Sequence, residues 1–298
     1  MGLELARAAS RGLHMAGSYA LFGTILFSAL FLPGATVPMK RLAWASLAIV
    51  IIAGIAWFLL QSADMASAGN FAQTLAALPI VAQWTRFGHL ILLRALLSIL
   101  AVASFQTGHP RIAAILAAAA IIAESWLGHG GAMTGTTGTI LLISSILHLS
   151  AGAAWLGSLP ALFLMIALLP PTEAASLARR YSPFGIACVL ALIASAIVQF
   201  IYLIGSPSAL FTSLYGRVAL VKIMLLTALI LLAALNRYRL TPALPDPARP
   251  DPARPDAKTK LLTSIGTEIA LALTALLAAG LLLNLAPPTM AAMLGTQQ

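Results

Sequence analysis

Apolar residues occupy long, nearly uninterrupted stretches of this chain, and polar residues gather in short segments between them. Each stretch is close to or longer than the ~20 residues that a helix needs to span a bilayer. The pattern predicts an all-α polytopic transmembrane helix bundle with about eight spans, forming a single integral membrane domain over residues 1–298. The predicted spans cover about 13–32, 42–62, 86–106, 111–128, 137–168, 183–205, 217–238 and 262–284.

Two segments depart from this simple alternation. The fifth apolar run, from Thr137 to Leu169, exceeds a bilayer thickness, so we expect it to tilt, protrude or bend, with Gly157 and Pro160 as the place. Residues 63–85 are too polar to cross the membrane. Within them, residues 71–84 are predicted to form a short helix at the interface, where tryptophan is favoured.

Basic residues predict the orientation of the bundle. They gather in four loops that the alternation of spans places on one side: Lys40, Arg41, Arg111, Arg179, Arg180, Arg237, Arg239, Arg249, Arg254, Lys258 and Lys260. By the positive-inside rule that side is cytoplasmic, and both termini and the 129–136 loop are periplasmic. Arg7 and Arg11 contradict this distribution. They precede a run that is too long for a signal peptide and lacks an A-x-A-like cleavage site, so we interpret that run as a retained span.

Composition narrows the class of protein. Charged residues make up 8% of the 298 positions, against about a quarter in soluble proteins, and the mean hydropathy is +0.97. The formal net charge of +9 is assigned to cytoplasmic loops, so membrane lipid rather than nucleic acid is the expected partner. The single cysteine, Cys188, excludes a disulfide framework. No P-loop and no soluble catalytic domain are present, so an enzyme is not expected.

The longest cytoplasmic loop contains a short repeat, PDPARPDPARPD, from Pro245 to Asp256. Proline removes backbone donors, and the repeat has no large apolar residue with which to build a core. It predicts a flexible Pro/Asp/Arg loop over residues 240–260. Docking of a partner is the alternative interpretation of this segment.

Ionisable residues inside apolar spans usually face the bundle interior and pair with one another. Arg94 lies about 12 Å into the third predicted span, and Glu124 lies within about one helical turn of the same depth in the fourth. We expect an ion pair between them, either as a structural clamp or as part of a functional site. Lys222 and Glu268 differ in depth by about 15 Å and are not expected to pair.

Histidine and methionine residues gather toward the predicted outer face, and His148 lies near mid-membrane. The outer set is His14, Met15, His89, His129, Met133, Met290 and Met293. Imidazole and thioether together are the ligand set that suits copper, whereas carboxylate-rich sets suit Mg²⁺, Ca²⁺ or Mn²⁺. Structural histidines and core-filling methionines are the alternative interpretation.

Several segments resemble the copper-resistance protein D family (CopD/PcoD-type inner-membrane proteins). The most specific match is LYGRVALVKIMLLTALILLAALNRYRLTPAL (214–244), which is similar to the family's tyrosine-glycine, lysine and Asn-Arg sequence. Further matches, in chain order, are RGLHMAG (11–17), TRFGHLILLR (85–94), WLGHGG (126–131), LHLSAGAAWLGSLPAL (147–162) and SIGTEIALALTALLAAGLLLNLAPP (264–288).

The resemblance implies copper transport or homeostasis across the bacterial inner membrane, with copper, as Cu(I) or Cu(II), moving from the periplasm toward the cytoplasm. It implies a periplasmic copper-binding protein of the CopC type as a partner, and it leaves a homo-oligomer open. It carries over His14, Arg94, His129, His148, Trp155, Lys222, Asn236 and Glu268. The candidate metal residues are His14, His129, Met133, His148 and His89, of which Met133 and His89 rest on depth and ligand chemistry alone. Many members have an aspartate where this chain has Ser145.

Two other functions stay open at this point. Transmembrane histidines can be axial haem ligands, and His14, His129 and His148 lie on three different predicted spans, so a membrane haem-b redox protein is one alternative. Two haems would need four suitably placed histidines, and only His89 remains on the outer side. The other alternative is a non-transporting copper-sensing or scaffold partner.

Overall fold

The computed structural model describes residues 2–128, 131, 133–245 and 256–290. All regular structure in this part of the chain is helical. The helices are α1 (Gly2–Phe31), α2 (Val37–Met65), α3 (Phe71–Trp84), α4 (Arg86–Gln106), α5 (Pro110–Glu124), α6 (Gly135–Trp155), α7 (Leu159–Leu168), α8 (Pro171–Gln199), α9 (Ala209–Thr212), α10 (Leu214–Leu235) and α11 (Ala257–Leu282).

Eight helical segments of this set are long and apolar enough to cross a membrane, which confirms the predicted fold class. α6 and α7 together form the fifth of them, and α3 and α9 are too short to count. Prolines at the first helical positions of α2, α5, α7 and α8 fix where these helices start, since proline lacks the backbone donor that a first turn leaves unused. The short helix expected at residues 71–84 is present as α3.

The bundle is arranged around α1, which contacts α2, α5, α6, α7 and α11. Its side chains are mostly buried, whereas α2, α4, α8 and α10 expose many large apolar residues such as Ile52, Leu92, Leu190 and Leu231. An apolar outer surface is what a lipid environment requires, because the bilayer core offers no hydrogen-bond partners to polar groups.

The fifth span bends where the sequence predicted. A 3₁₀ turn, Leu156–Ser158, separates α6 from α7. Gly157 in this turn lies so close to α1 that a Cβ there would overlap the backbone of Tyr19, and a Cβ on Gly23 would overlap the backbone of Gly157. Small residues allow such close helix contacts in membranes. The bend is therefore a packing site for α1 as well as a break in the helix.

Lysines secure two helix termini at the end of the bundle that carries the basic loops. Lys40 Nζ donates to the Gln106 carbonyl at 2.9 Å, and Lys258 Nζ donates to the Leu169 carbonyl at 2.8 Å. Cations are favoured at helix C-termini because the last carbonyls there have no partner within the helix. Of the predicted flexible loop over residues 240–260, residues 246–255 lie outside the described residues. Residues 257–260 form the first turn of α11, so the predicted loop extends too far at this end.

Arg7 and Arg11, which contradicted the charge distribution, are both held by contacts within the bundle. Arg7 forms an ion pair with Asp64 near the end of α2. Arg11 Nη2 donates to the Leu127 carbonyl at 2.9 Å, and its guanidinium lies over the Trp57 ring at 4.9 Å from the centroid. Neither arginine is a free charge in a loop, so both have a local structural role at this end of the bundle.

The predicted ion pair between α4 and α5 is present. Arg94 Nη2 lies 2.8 Å from Glu124 Oε2, and the two side chains are 1% and 2% exposed. Arg94 also donates from Nε to the Ala120 carbonyl at 3.1 Å and from Nη2 to Ser18 Oγ at 3.3 Å. Arg94 therefore joins three helices, α1, α4 and α5, through one buried side chain.

We expect Gly157→Ala to destabilise the protein by about 1–3 kcal/mol or more, because an added methyl group would overlap the α1 backbone. The measurement is the thermal unfolding midpoint in detergent. Gly266→Ala is the matched control, since the nearest atom to a Cβ at Gly266 is a Phe163 ring carbon at 3.8 Å. Equal midpoints for the two variants would contradict the close α1 contact.

We expect Arg94→Met or Glu124→Gln alone to cost about 3–5 kcal/mol, because each leaves a buried charge without its partner. The double variant is expected to lose less than the sum of the two. Unfolding midpoints and folded yields of the four proteins measure this coupling. Arg111→Gln, at an exposed arginine, is the control and is expected to be near neutral. Additive losses would show that the two side chains do not interact.

Candidate functional site

The C-terminal spans and α1 enclose a space that we call the histidine cavity. It consists of two adjoining volumes of about 200 and 80 Å³ that share five notable side chains: Met15, His148, Gln199, Tyr215 and Lys222. These residues come from α1, α6, α8 and α10. The remaining lining is predominantly apolar, so the few polar atoms determine what the cavity can bind.

The hydrogen bonds of Ser195 favour one tautomer of the His148 ring. Ser195 Oγ lies 2.8 Å from the Ala191 carbonyl and 3.0 Å from the Leu192 carbonyl, so its single hydrogen is donated to backbone. The same Oγ lies 3.0 Å from His148 Nδ1, and with its hydrogen on the backbone carbonyls it accepts a hydrogen from the ring. The lone pair of the neutral imidazole is then on Nε2, where a metal ion can use it.

His14 has the same arrangement on α1. Its Nδ1 lies 2.9 Å from the Val50 carbonyl, which can only accept, so Nδ1 carries the hydrogen. Nε2 is buried and has no hydrogen-bond partner among the described residues. The ring packs beside Trp57, and Gly54 provides the room, since a Cβ there would come within 3.0 Å of Nδ1. Metal-binding histidines commonly hold their second ring nitrogen in this way.

Met15 lies in the histidine cavity although it follows His14 directly in sequence. Successive residues on a helix point about 100° apart, so the two side chains serve different faces of α1. Met15 is 2% exposed and lines both volumes of the cavity together with His148. The structure therefore brings an imidazole and a thioether from α6 and α1 into one space. Such a soft ligand set suits copper.

The charges around the histidine cavity are mixed. Arg11, Glu124 and Ser145 line its smaller volume. Lys222 has no hydrogen bond or ion pair to any described residue, and Glu124 Oε1 has no hydrogen-bond partner among them. Glu124 thus places a carboxylate in the same volume as Ser145.

A second space, the glutamate cavity, has a volume of about 240 Å³ and lies toward the end that carries the basic loops. Its polar lining includes Glu268, Asn236 and Arg237. Asn236 Nδ2 donates to Glu268 Oε1 at 2.5 Å. Trp155 lines this cavity, whereas Gly152, less than one turn earlier on α6, lines the histidine cavity. Trp155 therefore lies near the boundary between the two spaces.

The other predicted metal residues are more scattered. His129 and Met293 lie outside the described residues. Met133 is half-buried and packs with Met290 against an apolar cluster whose members Leu203 and Tyr215 also line the histidine cavity. His89 is exposed, and its Nε2 lies 2.8 Å from the Gln83 carbonyl. Within the described ranges, no three His, Cys, Asp or Glu side chains converge as a metal-binding group.

A haem held by two histidines would need two imidazoles facing one space. Neither volume of the histidine cavity has a second histidine beside His148 in its wall. His14 is packed against Val50 and Trp57, and His89 faces outward on α4. Among the described residues, the histidine cavity therefore offers a single imidazole, that of His148.

Some site residues escaped sequence reasoning. Ser195 orients His148, and Gln199 and Tyr215 line the cavity with it. A polar residue inside an apolar span was the available signal for Ser195 and Gln199. The contact between Asn236 and Glu268 was also missed, because depth along the bilayer does not reveal which helix faces are neighbours.

Comparisons with known proteins agree with this architecture. The profile described as "Copper resistance protein D" matches residues 175–282. The profile described as "Copper resistance protein D-like, N-terminal domain" matches residues 2–139. Together the two profiles cover most of the chain, and in the order expected for one protein. No solved structure matches the chain.

Three curated relatives are similar over different shares of the chain. "Copper resistance protein D" from Pseudomonas syringae pv. tomato is 27% identical over 248 residues, covering 78% of this chain and 77% of that protein. "Inner membrane protein YebZ" from Escherichia coli (strain K12) is 28% identical over 191 residues, 62% and 66% of the two chains. "Copper transport protein CutJ" from Bacillus subtilis (strain 168) is 28% identical over 120 residues, 39% of this chain and 22% of that protein. With its eight candidate spans, the chain belongs to the copper-resistance protein D family of multi-pass inner-membrane proteins.

Proposed function

We propose that this protein moves copper across the inner membrane, from the periplasm toward the cytoplasm, by way of the histidine cavity. The observation that carries the proposal is that His148 and Met15 line the same cavity. A neutral imidazole and a thioether are suitable ligands for copper, and the thioether favours Cu(I). The copper names of the relatives from Pseudomonas and Bacillus add support from outside the geometry.

The proposed direction depends on orientation. The basic loops lie at one end of the bundle, where Lys40 and Lys258 bond helix C-termini, and we assign that end to the cytoplasm. Both chain termini and the 129–136 loop are then periplasmic. His14, near the opposite end on α1, is the first buried imidazole that an ion from the periplasm would meet. His129 and Met133 are proposed to offer ligands at the entrance.

Transport needs sites that bind weakly enough to release the ion. Lys222 and Arg11 border the histidine cavity and repel a cation, whereas Glu124 attracts one with a carboxylate already shared with Arg94. At a separation of about 6 Å and an effective dielectric constant of about 20, one such charge contributes roughly 3 kcal/mol. We infer that these opposing charges keep copper binding in the cavity moderate. His89, on the outside of α4, lies off this route.

A periplasmic copper-binding protein of the CopC type is the proposed donor, since copper in the periplasm needs a carrier to reach the mouth of the bundle. The exposed apolar surfaces of α2 and α10 are assigned to lipid. The same binding residues would also serve a non-transporting copper sensor or scaffold, and the transport assay below distinguishes that case.

Orientation is tested by fusing a reporter active only in the periplasm, and separately one active only in the cytoplasm, after Gln298. We expect activity from the periplasmic reporter alone, because the N-terminus is assigned to the periplasm and an even number of spans returns the chain to that side. The same pair inserted after Asp256, in the basic loop, is the matched control and is expected to give the opposite result. Cytoplasmic activity at Gln298 would mean that the orientation is reversed.

His148→Gln tests the copper route. The amide can still bond Ser195, so we expect the variant to fold and to reach the membrane, but it offers no comparable lone pair to copper. Copper entry into proteoliposomes of known orientation should fall to the level of empty liposomes. His109→Gln is the control, since His109 is exposed and hydrogen-bonds Thr107 in the loop before α5.

Two outcomes would count against this route. Copper entry at the parental rate in His148→Gln would show that the histidine is structural. Copper binding without any entry in the parental protein would favour the scaffold or sensor.

A further inference from the structure

Glu268 is a deeply buried acidic side chain that the proposed copper route does not use. It lies on α11, is 2% exposed, and borders the glutamate cavity. Glu124 has the same exposure, but its charge is matched by Arg94 at 2.8 Å. A buried carboxylate needs either a cationic partner or a proton, because desolvation strongly disfavours the isolated charge.

None of the groups that line the cavity with Glu268 forms an ion pair with it among the described residues. From α8 come Tyr181 and Ser182, and from the turn after α10 come Asn236, Arg237 and Tyr238. Arg237 donates from Nη1 to Ser182 Oγ at 2.5 Å and lies 5.6 Å from the Tyr238 ring centroid. Within the described residues it forms no ion pair with Glu268.

The remaining neighbours of Glu268 do not neutralise it either. α7 has no titratable side chain, and the charged residues of α1 lie in its N-terminal half. The cations of α10, Arg217 and Lys222, lie in its N-terminal half, whereas Asn236 follows its last residue. On α11 itself, Lys260 pairs with Asp256, and Lys258 donates to the carbonyls of Ala167 and Leu169. Both lysines are in the first turn of α11, about two turns or more before Glu268.

Hydrogen-bond accounting indicates how the carboxyl group is satisfied. Asn236 Nδ2 donates to Glu268 Oε1 at 2.5 Å, while Asn236 Oδ1 is buried and has no donor among the described residues. An ionised carboxylate has only acceptors to offer. A carboxylic acid also has a hydroxyl, which can donate to the amide oxygen while its carbonyl accepts from the amide nitrogen. The two groups are then complementary, whichever way the amide is assigned.

We propose that Glu268 is protonated in this conformation and is the proton-carrying site that couples copper movement to the proton gradient. This coupling rests on the proposed copper transport. The site takes up one proton at the carboxylate and releases it to water when the glutamate cavity opens, so that charge and atoms balance. Asn236 is the positioning residue that stabilises the neutral acid.

Protonation is tested first, on purified protein without copper. In infrared spectra at pH 7 we expect a carboxylic-acid carbonyl band that shifts in heavy water and titrates away at high pH. The band should disappear in Glu268→Gln. It should persist in Glu124→Gln, because the carboxylate that this variant removes is paired with Arg94 and does not give an acid band. Identical spectra for the parental protein and Glu268→Gln would overturn the proposal.

Stability provides a second measurement with the same pair of variants. Glutamine is close in shape to a neutral glutamic acid and keeps the bond from Asn236, so Glu268→Gln is expected to fold with nearly parental yield. Glu124→Gln leaves Arg94 unpaired and should lose much more. A loss in Glu268→Gln as large as that in Glu124→Gln would indicate that Glu268 is ionised and paired with a cation, and would overturn the proposal.

Coupling is tested by measuring copper entry into proteoliposomes across an imposed proton gradient, which a trapped pH-sensitive dye monitors. An imposed proton gradient should change the initial rate of copper entry severalfold in the parental protein and leave the rate of Glu268→Gln unchanged. Equal dependence of copper entry on the gradient in both proteins would overturn the proposed coupling. Absence of copper entry in the parental protein would overturn the copper proposal and coupling together, while the infrared band would still decide whether Glu268 carries a proton.

Discussion

The ion pair between Arg94 and Glu124 is the interaction on which the site geometry depends. Its two side chains lie 2.8 Å apart and are almost completely buried, so neither could remain charged there without the other. Through Ser18, Arg94 also holds α1, the helix that carries Arg11, His14 and Met15. Glu124 in turn lines the histidine cavity. One buried pair thus fixes the helix that supplies the soft ligands and brings a carboxylate to the same space.

The buried ionisable side chains are stabilised by different kinds of contact, and the differences indicate different roles. Glu124 meets a guanidinium, Arg11 meets a carbonyl and an indole ring, and Glu268 meets a carboxamide. An ion pair holds both of its charges in place and is suited to a permanent clamp. An amide stabilises a neutral acid through hydrogen bonds without holding its charge, so it is suited to a group that gains and loses a proton. The chain therefore separates a structural carboxylate from an exchangeable one.

The sequence was sufficient to predict features that depend on position along the membrane normal. Hydropathy placed eight spans, the length of the fifth run placed the bend at Gly157, and equal depth predicted the Arg94–Glu124 pair. It did not predict that Met15 joins His148, or that Asn236 meets Glu268. Both arrangements depend on helix rotation and on which helices are neighbours, which are decided by close packing such as that between Gly23 and Gly157. Packing of that kind leaves no periodic signal in one sequence.

The boundary between the two cavities coincides with the break in the fifth span. Trp155 ends α6, and the turn that follows is held by Ser158 and Tyr181, whose hydroxyls lie 2.8 Å apart. Ser158 Oγ lies 2.9 Å and the Tyr181 hydroxyl 3.2 Å from the Trp155 carbonyl oxygen, so this carbonyl has hydrogen-bond donors at the break. The histidine cavity and the glutamate cavity thus both border the break in the fifth span, since Leu156 lines the first and Trp155 and Leu159 line the second. The packing site for α1 at Gly157 therefore lies between the soft ligands of one cavity and the carboxyl group of the other.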